Sequence, residues 1–202
     1  MNRRRWLVSG PPRTGGHLLL GLIRSAGALA LHTHNPRYRT RNDSMTTLIK
    51  LRRKNMFAAL MSNCVVWHTG QSTDYTQLEI EPFQVSLDEF RIHYAGHLYH
   101  HAIDIKEARF YTVVEMYLED FQHNHDCALE QLGLSNAGKI LDQSLIKLIQ
   151  NKTPYDYRDL VINHQELLQY FNWMRTQHIT TLGLINPFDQ LPRQSKKKQI
   201  FS

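Results

Sequence analysis

Cysteine is scarce in this chain, with only Cys64 and Cys127 among 202 residues. Two thiols exclude the disulfide framework of a small secreted protein, so we expect a reducing, cytoplasmic compartment. Long hydrophobic runs are also missing, and the apolar stretch that follows the arginines at 3–5 ends at Gly10. A membrane span needs roughly 20 apolar residues. We therefore expect neither a signal peptide nor a membrane span.

The composition is that of an ordinary globular protein, because 42% of the residues are hydrophobic and 21% are charged. The formal net charge of +6 suits an anionic ligand, nucleic acid or an acidic surface. A nucleic-acid-binding protein is the least favoured class, since no recognisable binding motif and no interleaved aromatic residues accompany the charge. We expect one domain over residues 1–175, and an extension over 176–202 that carries a basic tail.

Short apolar runs alternate with helical patterns, which predicts an α/β protein with a central parallel sheet flanked by helices. We expect the second strand to be buried, with its carboxyl end emerging at His32 to His34, and ligands to bind where the strands end. Asn55 is a good helix cap, and Ser86 with Glu89 forms a capping box. The predicted strands are 5–9, 46–53, 110–117 and the second strand, which begins at residue 28. The predicted helices are 17–27, 56–70, 87–110, 123–132, 138–150 and 157–177.

A glycine-rich turn follows the first predicted strand. Gly10 and Gly15 have the GxxxxG spacing of a phosphate-binding loop, but Gly16 and His17 stand where a nucleotide triphosphatase has lysine and a hydroxyl residue. Backbone N–H groups at a helix start favour an anion. The loop lacks the lysine that binds the β- and γ-phosphates and the hydroxyl that binds magnesium, which ATP or GTP hydrolysis requires. The turn either binds a phosphate-bearing ligand that needs no metal or binds nothing.

The segment "PPRTGGHLLL" at residues 11–20 resembles the 5'-phosphosulfate loop of sulfotransferases that use 3'-phosphoadenosine 5'-phosphosulfate (PAPS). Arg13, Thr14 and Gly15 match that loop, whereas Gly16 and His17 depart from its usual hydroxyl residues. The resemblance implies a three-layer P-loop NTPase-like fold and no metal. The cofactor-binding residues that it implies in this loop are Arg13, Thr14, Gly15, Gly16, His17 and Leu18.

"LHTHNP" at residues 31–36 is similar to the Lys-Thr-His-x-Pro stretch of the cytosolic sulfotransferases. Thr33, His34 and Pro36 match, and His32 stands at the lysine position. The resemblance implies that His34 is the catalytic base. From the residues alone, His34 is also compatible with a surface turn before Asn-Pro.

"IKLRRKNMFAALMS" at residues 49–62 resembles the segment that binds the 3'-phosphate through a basic residue and a serine. The serine is Ser62, and the basic residue is Lys54 or Arg53, the latter matching the nodulation-type branch. Ser62 is also compatible with a bond to its own helix backbone. Residues 113–121 and 147–167 resemble later segments of the family, but its Arg-Lys-Gly loop is absent.

The resemblance implies transfer of a sulfuryl group from PAPS to an acceptor, which we expect to be a hydroxyl of a carbohydrate, a lipid-linked sugar or a small metabolite. Arg13 would stabilise the charge on the departing phosphate, and His34 would take the acceptor's proton. The alternative enzyme class is a small-molecule or nucleotide kinase with a degenerate loop. It would need ATP and magnesium.

Histidines are frequent in the third helix. His93 and His97 are four residues apart, a spacing at which helical histidines can share a metal, but no carboxylate lies between them as in HExxH. We expect these histidines to belong to an amphipathic helix and to line the acceptor pocket, which we place in residues 71–110. Glu115 is expected to be a structural carboxylate.

Overall fold

The structure is a computed structural model that describes residues 5–34, 46–70, 80–121, 124–134 and 156–176. Its centre is a parallel sheet of four strands in the order β2-β1-β3-β4. The predicted parallel α/β architecture is confirmed. The strands are β1 (Arg5–Ser9), β2 (Leu29–Thr33), β3 (Thr46–Arg52) and β4 (Thr112–Tyr117). The helices are α1 (Gly16–Ser25), α2 (Met56–Thr69), α3 (Leu87–Ala108), α4 (Leu118–Phe121), α5 (His125–Gln131), α6 (Tyr157–Leu160) and α7 (His164–Thr176).

Helices cover both faces of the sheet. Successive side chains of each strand point to opposite faces, so each strand contributes to both layers. Val8 and Ile49 pack in one buried cluster with α1 and α5. The alternate residues include Ser9 and Arg52, whose side chains contact Asp104 of α3. This second face therefore belongs to α3, and α2 and α7 pack with α3 in a separate apolar cluster.

The second strand is not buried as predicted. It lies at the edge of the sheet, and Leu29 and Leu31 are 52% and 43% exposed while Ala30 is buried. A strand with one neighbour and one covered face buries only alternate residues. Leu29 and Leu31 line an apolar cavity far from the carboxyl ends of the strands, together with Trp6 and Ala28.

The single helix predicted over 157–177 is divided in two. Val161 is extended, at φ −99° and ψ 102°, and forms an isolated parallel bridge with Phe83. The Phe83 N–H donates to Leu160 O at 2.8 Å, and the Ile162 N–H donates to Phe83 O at 2.9 Å. These long-range bonds satisfy backbone groups that a continuous helix would have used. The helix predicted over 138–150 lies outside the described residues.

The predicted helix caps of α2 and α3 are confirmed. Asn55 Oδ1 accepts from the Ala58 N–H at 3.0 Å, and Ser86 Oγ accepts from the Glu89 N–H at 3.1 Å. Glu89 does not complete the capping box, because its carboxylate contacts His68. Within the described parts of the chain, no helix has the length and apolar character to cross a membrane.

Candidate functional site

All four strands end at the same edge of the sheet, and the residues that follow them form the candidate site. The loop of residues 10–15 follows β1, His34 follows β2, Arg53 and Lys54 follow β3, and α4 follows β4. Because the strands are parallel, segments distant in the sequence meet at this edge. The site residues predicted from the sequence therefore share one region of the protein.

The backbone of the loop is tightly constrained. Arg13 has φ 65°, the one left-handed non-glycine residue among those the structure describes. Gly15 also has a positive φ, 87°, and is the N-cap of α1, where no side chain caps the helix. A Cβ atom on Gly16 would lie 2.1 Å from His32 Nε2. Packing thus accounts for the glycines, while the first turn of α1 presents N–H groups that have no acceptor within the helix.

Two segments that were predicted separately meet through their side chains. Arg13 Nε donates to Ser62 Oγ at 2.9 Å across 49 residues of sequence. Ser62 lies in the first half of α2 and is partly buried. Its hydroxyl therefore points to the loop, and the alternative of a bond only to its own helix is not favoured.

His34 is exposed, but its ring is oriented by the loop. Nδ1 lies 2.7 Å from the Gly10 carbonyl oxygen, so it carries a proton and donates to that oxygen. In the neutral ring, Nε2 is then the acceptor. This is the tautomer that a general base needs.

His32 and His100 pack against His34, and His17 packs against His32. The ring centroids are 4.7 Å apart for His32 and His34, 4.8 Å for His17 and His32, and 5.8 Å for His34 and His100. His100 Nδ1 donates to the carbonyl oxygen of His34 at 2.8 Å. Burial lowers the pKa of His100 to about 4, so its ring is neutral near pH 7. From its sequence pattern, His100 was expected only to line a pocket.

The two basic candidates for the 3'-phosphate contact carboxylates instead. Arg53 Nε lies 3.3 Å from Glu119 Oε1, and Lys54 Nζ pairs with Asp120. The Lys54 and Asn55 N–H groups also donate to Glu119, at 3.0 and 3.4 Å. Partial burial raises the pKa of Glu119, but the backbone hydrogen bonds and that from Arg53 outweigh it, so the net shift is downward. Sequence reasoning missed this carboxylate pair.

A buried charge network lies beneath the site. Asp104 accepts from Ser9 Oγ at 2.6 Å and from Arg52 Nη1 at 2.8 Å. Arg52 Nε is 3.7 Å from Glu115 Oε1. The network connects β1, β3 and β4 to α3. Glu115 lies at its exposed edge, and its structural role stays a prediction.

Thr14 completes the turn, because its hydroxyl donates to Pro11 O at 2.7 Å. Leu18 is buried in the core, so any contact that it makes with a ligand is through its backbone. Residues 71–79, part of the expected acceptor pocket, lie outside the described residues.

The chain matches no protein-family model, no curated protein and no solved structure.

Proposed function

We propose that the chain is a sulfotransferase with a P-loop-like fold, which transfers the sulfuryl group of PAPS to an acceptor hydroxyl. The observation that carries the proposal is the contact between Arg13 and Ser62. By resemblance, Arg13 belongs to the segment that binds the 5'-phosphosulfate, and Ser62 belongs to the segment that binds the 3'-phosphate. Both groups are attached to the same ribose, so the residues that bind them must lie close together.

The left-handed backbone of Arg13 supports the same proposal. A non-glycine residue in this conformation costs of order 1 kcal/mol or more and is concentrated at ligand-binding sites. Arg13 follows Pro12 and precedes the start of α1, where helix N–H groups and a guanidinium together favour an oxyanion.

In the proposed reaction, His34 Nε2 takes the proton of the acceptor hydroxyl as the oxygen attacks sulfur. The bond between sulfur and the phosphate oxygen breaks, and 3'-phosphoadenosine 5'-phosphate leaves with the electron pair. Arg13 and the first turn of α1 stabilise the charge that develops on that oxygen. The Gly10 carbonyl holds His34 in the required tautomer.

Arg53 and Lys54 supply the positive charge for the 3'-phosphate in this proposal only if they leave Glu119 and Asp120. The phosphate then competes with two carboxylates. Ser62 and Arg13 lie in contact with each other, and both side chains carry donors that a phosphate accepts.

Binding of 3'-phosphoadenosine 5'-phosphate without metal tests the proposal by thermal shift and isothermal titration calorimetry. We expect stabilisation by this nucleotide, and little by ATP with magnesium or by DNA. Ser62→Ala should weaken binding about 10-fold or more, since a hydrogen bond to a charged group contributes about 1.5–3 kcal/mol. Ser25→Ala is the matched control, because Ser25 is the last residue of α1 and lies at the end of that helix away from the glycine-rich loop. Stabilisation by ATP with magnesium and none by the bisphosphate would support the kinase alternative instead.

Replacement of His34 distinguishes a catalytic base from a surface turn residue. His34→Asn should leave the affinity for 3'-phosphoadenosine 5'-phosphate within about twofold, while sulfuryl transfer to a panel of phenols and sugars falls by about 10²–10⁴. A surface turn residue would change neither quantity. Equal activity of the variant and the wild-type protein would contradict the role of His34 as base.

A further inference from the structure

A second polar cluster lies between α2 and α3. It contains Cys64 and His68 on α2, and Glu89 and His93 on α3. Each pair is separated by four residues, the spacing that places two side chains on the same face of a helix. The two faces meet, because Asn63 of α2 contacts His93 Nδ1 at 3.0 Å.

Three of the donor atoms in this cluster converge. One ligand atom each from Cys64, Glu89 and His93 lie within 4.8 Å of one another. His68 Nε2 is 2.9 Å from Glu89 Oε1, and His93 Nε2 is 3.7 Å from the same oxygen. Around a tetrahedral zinc ion, with bonds of about 2.0–2.3 Å, such atoms are roughly 3.3–3.8 Å apart. Closure of the Cys64, Glu89 and His93 ligand atoms around an ion therefore requires side-chain shifts of about 1 Å. His68 becomes a fourth ligand only if its ring turns from Glu89 towards the ion.

We propose that Cys64, His68, Glu89 and His93 form a structural site for a divalent metal ion, with zinc as the preferred metal. The cluster holds one thiol, one carboxylate and two imidazoles. A thiolate and a carboxylate carry two negative charges, which balance one divalent ion in a place where Cys64 and His93 are fully buried. Thiolate and imidazole ligands select zinc over magnesium and calcium.

The surroundings of the cluster suit ligands that must be held in place. Phe83 stacks on His68 with ring centroids 4.2 Å apart, and Trp67 packs edge-on against His93 at 6.0 Å. Rotation of the Asn63 amide by 180° brings its oxygen to His93 Nδ1. That nitrogen then donates its proton, and Nε2 presents a lone pair to the metal.

The expected role of the ion is to join α2 to α3. Ser62 lies two residues before Cys64 on α2, so the ion would also stabilise the helix that carries a candidate phosphate ligand. The metal site stands independently of the sulfotransferase proposal, because none of its four ligands belongs to the nucleotide site.

Cobalt(II) titration of the reduced, chelator-treated full-length chain tests the site. We expect one equivalent to bind, with a thiolate-to-cobalt charge-transfer band and the visible bands of tetrahedral cobalt, and one equivalent of zinc to displace it. Cys64→Ser should abolish the charge-transfer band. Cys127→Ser, which removes an exposed thiol, should leave it unchanged. Absence of saturable binding, or a band that survives in Cys64→Ser, would overturn the proposal.

X-ray absorption spectroscopy of the zinc-loaded wild-type protein gives a test that does not depend on the folding of a variant. We expect one sulfur ligand at about 2.3 Å and nitrogen or oxygen ligands at about 2.0–2.1 Å. A shell of nitrogen and oxygen alone would place the ion elsewhere, for example at the exposed histidines, and would refute the site.

Discussion

Replacement of Asp104 by Asn should destabilise the protein severely, because it breaks a buried ion pair. The side chains of Asp104 and Arg52 are 1% and 8% exposed. The introduced asparagine would keep an oxygen for the Ser9 hydroxyl but would leave the Arg52 guanidinium without its buried counter-ion. Glu115 cannot compensate well, since its carboxylate is 3.7 Å away and its side chain is 46% exposed.

Removing one partner of a buried ion pair costs about 3–5 kcal/mol. In a chain of this length, 1 kcal/mol shifts the melting temperature by about 2–4 °C. We therefore expect the free energy of unfolding of Asp104→Asn to fall by about 3 kcal/mol and its melting temperature to fall by roughly 6–12 °C.

Urea unfolding followed by circular dichroism measures this change, and an unaltered dependence on urea would show that the denatured state is unaffected. Asp159→Asn, on the exposed face of α6, is the matched control and should change the free energy by less than about 0.5 kcal/mol. A loss of under about 1 kcal/mol in Asp104→Asn would refute the reasoning, because it would mean that water or Glu115 fully replaces the lost charge.

Two further predictions concern the charged groups at the site. Glu119→Gln should release the Arg53 guanidinium, so the affinity for 3'-phosphoadenosine 5'-phosphate should rise in calorimetry. An unchanged affinity would mean that Arg53 does not reach the phosphate. Because the folded-state pKa of Glu119 is lowered, its stabilising effect is present above about pH 4.3, the ordinary glutamate value. The effect is lost as the pH falls through the lower folded-state pKa. Urea unfolding of the wild-type and Glu119→Gln proteins at a series of pH values should therefore show their difference in free energy of unfolding disappear in acid. His100 resists protonation in the folded state, where its pKa is about 4 against an ordinary 6.5. The unfolded chain therefore binds more protons between these values, and stability should fall as the pH drops from 6.5 to 4, by up to about 1.4 kcal/mol per pH unit. His100→Gln should reduce that slope, and an identical slope would contradict the burial of His100.

The strands and most helix ends were predictable because their causes are local. A run such as "RWLVS" is apolar and ends at Gly10, and Asn55 and Ser86 bond to N–H groups three residues away. Local patterns do not show which strand lies at an edge. The apolar composition of β2 therefore suggested burial, whereas the strand order exposes Leu29 and Leu31.

The sequence by itself determined the parallel α/β layout, the glycine turn before α1 and the position of His34 at a strand end. Each depends on residues that are near one another in the chain. Only the tertiary structure decided that Arg13 contacts Ser62, that Glu119 contacts Arg53, and that α2 and α3 bring Cys64, Glu89 and His93 together. Such contacts depend on how distant elements pack, and no spacing within one segment encodes them.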